Sequence, residues 1–277
     1  MHRREVLARL GLTGAGAVVG AGLAGFGEDQ LIQHATPASF ASTLAPACAR
    51  GYSQLWWSGP GSGMVVALTF DDGPTTQFTA HVLDLLDRAG VPATFFVIGE
   101  AARRHPDLVR RTRDAGHEIQ NHSQDHVSAA LLDRSQVRAA MERGADTIER
   151  LVGRRPQWYR PPRGEVTSAT LLAARQTGHT VALWSLARDD HGELPDGDSA
   201  GVGRHLRAAV HPGDVVDLHD GIGRSSFAGE VDEQLVRRRR AELTVLPEVI
   251  EAWREQGYTF ARLSDLIPPA VSGGGSS

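Results

Sequence analysis

From Met64 onward the polar and apolar positions of the chain fall into a repeated figure. Five times a charged segment of helical period runs into a glycine and is followed within a few residues by an apolar or β-branched run. These are LLDRAGVPATFFV (85–97), RRTRDAGHEIQ (110–120), TIERLVGRRPQWY (147–159), ARQTGHTVALW (174–184) and EAWREQGYTFARL (251–263). A glycine just past the last turn takes the left-handed conformation without a Cβ clash and so stops the helix. Short strands alternating with helices through tight connections predict a mostly parallel sheet with crossover helices. Strand starts fall at Val65, Thr94, Glu118, Gln157, Thr180, Asp214 and Tyr258. The fold class is therefore α/β in one domain, either an open doubly wound sheet or a barrel, since the period fits both.

Ahead of Met64 that pattern dissolves. Residues 1–30 begin with the pair Arg3-Arg4, continue through a Gly- and Ala-rich apolar run from Leu10 to Phe26 and end in acids. This reads as a signal peptide of the twin-arginine type and predicts export, to the cell envelope or beyond. The run is short and glycine-rich for a membrane span, which needs roughly 20 apolar residues. A retained anchor is the competing reading; no stable membrane insertion is expected after processing. Residues 31–63, rich in Ala, Ser, Pro and Gly, read as a linker or mobile arm, 64–267 as the folded domain and 268–277 as a disordered tail.

Composition removes some partners and sites. The 277 residues carry a net charge of -4, which gives no basic field for nucleic acid. The single cysteine, Cys48, permits neither an intrachain disulfide nor a cysteine-based zinc site. The run Arg237 to Arg240 reads as the solvated face of a helix from Asp232 to Gln256. A monomer is expected.

In either α/β architecture, chemistry gathers where loops leave the carboxyl ends of parallel strands. The segments that follow the strands are rich in titratable and metal-binding groups: Asp71-Asp72, then NHSQDH (121–126), RPPRG (160–164), WSLARDDHG (184–192) and LHDG (218–221). His122 and His126 are four apart, a spacing that on a helical turn puts both rings on one face and serves metal sites. Two solvent-exposed or capping histidines would show the same spacing. A third, harder ligand is needed to leave a position for water, and an aspartate at the tip of the first strand is the obvious donor. Taken alone, DDGP also fits a helix N-cap ahead of residues 75–89.

TFDDGP, NHSQDH, RPPRG, WSLARDD and LHDG, in this order and at these separations, resemble the five motifs of the polysaccharide deacetylases, carbohydrate esterase family 4, over roughly residues 64–267. The resemblance implies a distorted (β/α)7-type, TIM-barrel-like fold and an exported, metal-dependent hydrolase that removes acetyl groups from an N-acetylated glycan. N-acetylglucosamine of peptidoglycan or chitin oligomers would be the substrate; O-acetylated xylan, or glycan binding without catalysis, are the alternatives. It implies a divalent metal, zinc expected, held by Asp72, His122 and His126. Asp71 would be the general base and Arg160 its partner. His219 would be the general acid, oriented by Asp190, and a backbone N–H near Arg163 and Gly164 would serve the oxyanion, with Trp184 in the substrate wall.

The chain departs from the family's pattern at four positions: Arg163 where an aromatic is common, Ala187 for an acid, His191 for Trp, and Asp217 for Leu. Residues 215, 217 and 219 share one strand face, so Asp217 points into the site below His219, toward His219 or Arg160, unless a bulge turns it to solvent.

Overall fold

A computed structural model of the chain describes residues 17–21, 51–189, 194–228 and 231–267, and no helix among them is long and apolar enough to cross a membrane. The strands are β1 (Ala17–Ala21), β2 (Gly51–Trp56), β3 (Val65–Asp71), β4 (Thr94–Val97), β5 (Glu118–Asn121), β6 (Trp158–Tyr159), β7 (Thr180–Ala182), β8 (Leu186–Ala187), β9 (Val215–His219) and β10 (Thr259–Phe260). The helices that bear on the site are α1 (Thr79–Ala89), α2 (Gly99–Arg104), α3 (Pro106–Asp114), α4 (Arg134–Val152), α5 (Ser168–Thr177), α6 (Ser199–Ala209), α7 (Ser225–Ala228) and α8 (Glu233–Glu255). Each of the seven expected strands starts within one residue of its predicted position. The five glycines that punctuate the pattern all have positive φ, from 62° at Gly90 to 89° at Gly257.

Eight strands pair in parallel in the order β2-β7-β6-β5-β4-β3-β9-β8, with β10 parallel to the start of β3 and β1 antiparallel to β2. Only three residues separate β7, bonded to β6 and β2, from β8, bonded to β9. Within that step the Leu183 N–H donates to Trp56 O and the Ser185 N–H to Val215 O. The sheet is thereby curled until its two edges approach one another, which decides for a distorted barrel and against an open sheet.

Residues 51–56 correct the linker reading. They form β2, which pairs with β7 through Leu55 and Trp56, and Leu55 and Trp57 are buried. Their surroundings are loop-like in composition, and a strand made by one long-range pairing leaves no local period to detect. The rest of the expected leader and arm, and the expected tail, lie largely outside the described residues.

Side-chain alternation sorts the sheet into two faces. Val66, Leu68 and Phe70 of β3 join Phe95, Val97, Val216 and Leu218 in the core beneath the helices. Ala67, Phe96, Trp158, Ala182 and Val215 pack on the opposite, inner face. Residues 69 and 71 of β3 and 217 and 219 of β9 continue that inner face toward the strands' carboxyl ends, and the registers Thr69 with Asp217 and Asp71 with His219 set them side by side.

Candidate active site

Neighbouring residues of an extended strand point to opposite faces, so Asp71 and Asp72 can serve one site only if the backbone turns between them. It does: Asp72 has φ 76°, in the left-handed region, while Asp71 is still paired in β3. The Asp72 carbonyl accepts from Ser226 Oγ at 3.0 Å, and Gly221 passes so close that a Cβ there would lie 2.1 Å from the same oxygen. The Asp pair does not cap a helix, since α1 begins only at Thr79 with Phe78 as its N-cap.

The histidine pair is assembled differently from the expectation. His122 follows β5 directly and His126 lies in the ensuing loop, not on a helical turn; Ser123 and His126 have φ of 67° and 52°. The loop is pinned by the Ser123 N–H donating to Asn121 Oδ1 and the His126 N–H donating to Ser123 Oγ, each at 3.0 Å. These two left-handed residues, not helical spacing, bring the rings to 5.0 Å between centroids.

Asp72 Oδ1 lies 2.9 Å from His126 Nε2 and 3.5 Å from His122 Nε2. Among the described residues, Asp72, His122 and His126 form a buried group whose ligand atoms all lie within 4.8 Å of one another. His122 Nδ1 sits 2.8 Å from the Arg160 carbonyl, which can only accept, so that nitrogen carries the proton and Nε2 keeps its lone pair for the Asp72 side. One carboxylate oxygen and two imidazole nitrogens, oriented in this way, fit a divalent cation. Burial opposes the charge on Asp72, yet His126, His122 and Arg239 around it hold its carboxyl well below the usual carboxylate range.

Arg160, at the end of β6, is fully buried in the middle of this face. It donates to Asp71 Oδ1 and Thr69 Oγ1 at 2.8 Å each, to the Leu183 carbonyl at 3.0 Å and to Asp217 Oδ1 at 3.3 Å, and its guanidinium lies 4.1 Å from the Phe96 ring centroid. Asp71 Oδ1 is thereby occupied, while Oδ2 faces His122 Nε2 at 3.8 Å. Asp217 points inward, as strand alternation requires, and Arg160 is its partner. Its cross-strand neighbour is Ala187. Burial chiefly, against the pull of His219 and Arg160, pushes the Asp217 carboxyl up to about 6.

His219 ends β9 beside Asp71. Its Nδ1 faces Glu242 Oε2 of α8 at 3.3 Å. Asp190, expected to orient this ring, lies outside the described residues, as does His191. Sequence reasoning missed both Glu242 and Arg239. Arg239, read as part of a solvated arginine run, is buried: it donates to Asp72 Oδ2 at 3.0 Å and to the Gly221 carbonyl at 2.9 Å, and its guanidinium lies 3.5 Å from Glu242 Oε1. Arg237 and Arg240 are exposed, as expected. The available signal was the stripe Val236, Leu243, Leu246, Ile250 and Trp253, which places residues 239 and 242 on the buried side of α8.

In the third-motif turn Arg163 is exposed with φ 60°, and Gly164, also left-handed, packs so tightly on Trp184 that a Cβ would lie 2.7 Å from the indole. Trp184 is half-buried and its ring centroid is 5.6 Å from the Arg160 guanidinium, so it forms one wall beside the Asp71 and Arg160 pair.

A profile described as polysaccharide deacetylase matches residues 58–182. A peptidoglycan-N-acetylglucosamine deacetylase of Bacillus cereus is 34% identical over 211 residues, covering 76% of this chain and 92% of its own length. A chitooligosaccharide deacetylase of Rhizobium leguminosarum bv. trifolii is 32% identical over 210 residues, covering 72% and 89%. Among solved structures, a peptidoglycan N-acetylglucosamine deacetylase in complex with 4-naphthalen-1-yl-N-oxidanyl-benzamide superposes with a TM-score of 0.65 at 28% identity, over 76% of this chain and 91% of that one.

Proposed function

The chain belongs to the polysaccharide deacetylase family, hydrolases that cleave the acetyl amides of carbohydrates, and we propose that it deacetylates N-acetylglucosamine units of peptidoglycan or chitin oligomers, outside the cytoplasmic membrane and with zinc. The substrate reading draws on the relatives named above, both of which act on N-acetylated glycans. Export draws on the paired arginines and apolar run at the N-terminus. The observation that carries the reaction is the placing of a free carboxylate oxygen, Asp71 Oδ2, beside the Asp72, His122 and His126 group, with an imidazole on the other side of it.

Asp72, His122 and His126 would hold the metal, which when bound supplies a Lewis acid for the acetyl carbonyl and for the attacking water. The N-oxidanyl-benzamide bound by the structural relative is a hydroxamic acid, a chelating group suited to such a site. Asp71 takes the water's proton at Oδ2, and Arg160, bonded to Oδ1, fixes the direction in which that oxygen points. His219 gives a proton to the departing amine from Nε2, the nitrogen not engaged by Glu242. For that it must be charged at working pH. Burial and the Arg239 charge oppose this, but Glu242 and Asp217 outweigh them and raise the imidazole to about 9. Trp184 would bound the sugar, and the Arg163 backbone N–H would stabilise the oxyanion, since the Gly164 N–H already donates to the Pro161 carbonyl at 2.9 Å.

Acetate release from N-acetylglucosamine oligomers and from purified peptidoglycan, measured with chelator and with zinc restored, tests the proposal. Release that depends on added zinc is the expected result. Release that survives complete metal removal would refute the metal's role, and none from either polymer would refute the substrate.

A further inference from the structure

We infer that Glu242, on helix α8 and outside all five motifs, is the residue that orients the His219 imidazole and balances its charge, and that Arg239 links this end of the site to Asp72. The inference rests on the role given to His219 above. Glu242 is completely buried, and a buried carboxylate must be partnered. Its partners are His219 Nδ1 at 3.3 Å from Oε2, and the Arg239 and Arg188 guanidinium nitrogens at 3.5 and 3.9 Å from Oε1.

The charged groups that face His219 come from four elements: Glu242 and Arg239 of α8, Asp217 of β9, Asp71 of β3 and, behind Glu242, Arg188 after β8. Among the described residues, Glu242 alone brings a carboxylate oxygen within 4.0 Å of a His219 ring nitrogen. A carboxylate can only accept from Nδ1–H, so this contact sets the tautomer and turns Nε2 toward the site. Arg239 and Glu242 are three apart on one helix and project together. The charges then alternate from Asp72 through Arg239 and Glu242 to His219, joining the metal end and the acid end through a single rigid element. Burial opposes the Glu242 charge, but His219, Arg239 and Arg188 keep its carboxyl below the ordinary value.

The test is Glu242→Gln, which keeps shape while removing the charge, made in the full chain. One readout is the pH profile of acetate release from chitin oligomers; the other is the NMR titration of the His219 ring in chelator-treated protein, assigned with His219→Gln. Wild type should keep its activity until about pH 9, the value to which His219 is raised. In Glu242→Gln that limb should move down by at least about one unit, with kcat at pH 8 reduced at least about twofold and KM little changed. A uniform loss at all pH values with the limb unmoved would mark a structural role and overturn the inference. So would a limb that moves in Asp190→Asn but not in Glu242→Gln, or a wild-type His219 that titrates at its ordinary value. If wild type released no acetate from any glycan, the proposed function would fail, yet the ring titrations of the two proteins would still decide the role of Glu242.

Discussion

Arg160 is shared by two buried carboxylates, Asp71 and Asp217, and Arg160→Met removes it while keeping most of its volume. Breaking a buried ion pair by deleting one partner costs about 3–5 kcal/mol, because the other charge is left unpaired. A single pair at about 4 Å and an effective dielectric near 20 is worth about 4 kcal/mol, which agrees. The donations to Thr69 Oγ1 and Leu183 O are lost as well, at about 1 kcal/mol each. The carboxylate part of this cost depends on pH. Asp217 is already raised to about 6 with Arg160 present, above the ordinary value of about 4, and loses a lowering influence when the cation goes. A raised folded value means no penalty below the unfolded value, a penalty that grows through the raised value, and the full penalty above it. Urea unfolding of the metal-free protein should therefore show a loss of about 5–7 kcal/mol at pH 8 and only about 2 at pH 4. Arg160→Met/Asp217→Leu, which leaves one unpaired carboxylate in place of two, should recover part of the loss at pH 8 alone. An equal loss at both pH values would show that packing, not charge, is what Arg160 supplies.

Three further outcomes follow from the same contacts. Asp72→Asn should weaken zinc binding by at least about 100-fold in a competition titration with a chromophoric chelator, since the only anionic ligand is removed; an affinity within threefold of wild type would contradict the assignment. Asp220 is buried and its carboxyl is raised to about 7, mainly by burial and, with Thr79 opposing, by Asp72 and Asp71 nearby. Its raised value costs stability as pH climbs from about 4 to 7, so Asp220→Asn should flatten that part of the stability curve while leaving stability at pH 4 unchanged. Ser226→Ala deletes the donor to the Asp72 carbonyl, and should cost about 1 kcal/mol in urea unfolding and up to about 10-fold in zinc affinity; unchanged affinity would mean Asp72 needs no such support.

Much of this site was legible because strand ends are where alternation and turn chemistry converge. The starts of all seven expected strands and the inward direction of Asp217 follow from period two and from helix-stopping glycines, which are local properties. The parts that escaped depend on distant partners. β2 exists because Leu55 and Trp56 find β7, more than 120 residues further along the chain. His122 and His126 lie together, 5.0 Å between ring centroids, but the geometry comes from left-handed residues that side-chain spacing does not encode. Arg239 was hidden by its own neighbours: in a run of four arginines the charge pattern announces solvent, while the apolar stripe of α8 turns one of the four inward.

The positive-φ residues outside glycine are Asp72, Ser123, His126 and Arg163 among the described residues, and each belongs to a motif loop around the site. A non-glycine residue in that region costs on the order of 1 kcal/mol. The cost is specific to what the site requires. An extended chain would send Asp71 and Asp72 to opposite faces of the sheet, and a continuous helix after β5 would carry the His122 region away from the Val97 carbonyl, which accepts the His122 N–H at 3.0 Å. Each departure is locked by contacts that a relaxed backbone would lose: Ser226 and Gly221 at Asp72, Ser123 Oγ at the His126 N–H, and Trp184 against the glycine after Arg163. The donor atoms of Asp72, His122 and His126 are thus gathered by the folding of the barrel itself, so that a cation would meet ligands already in place.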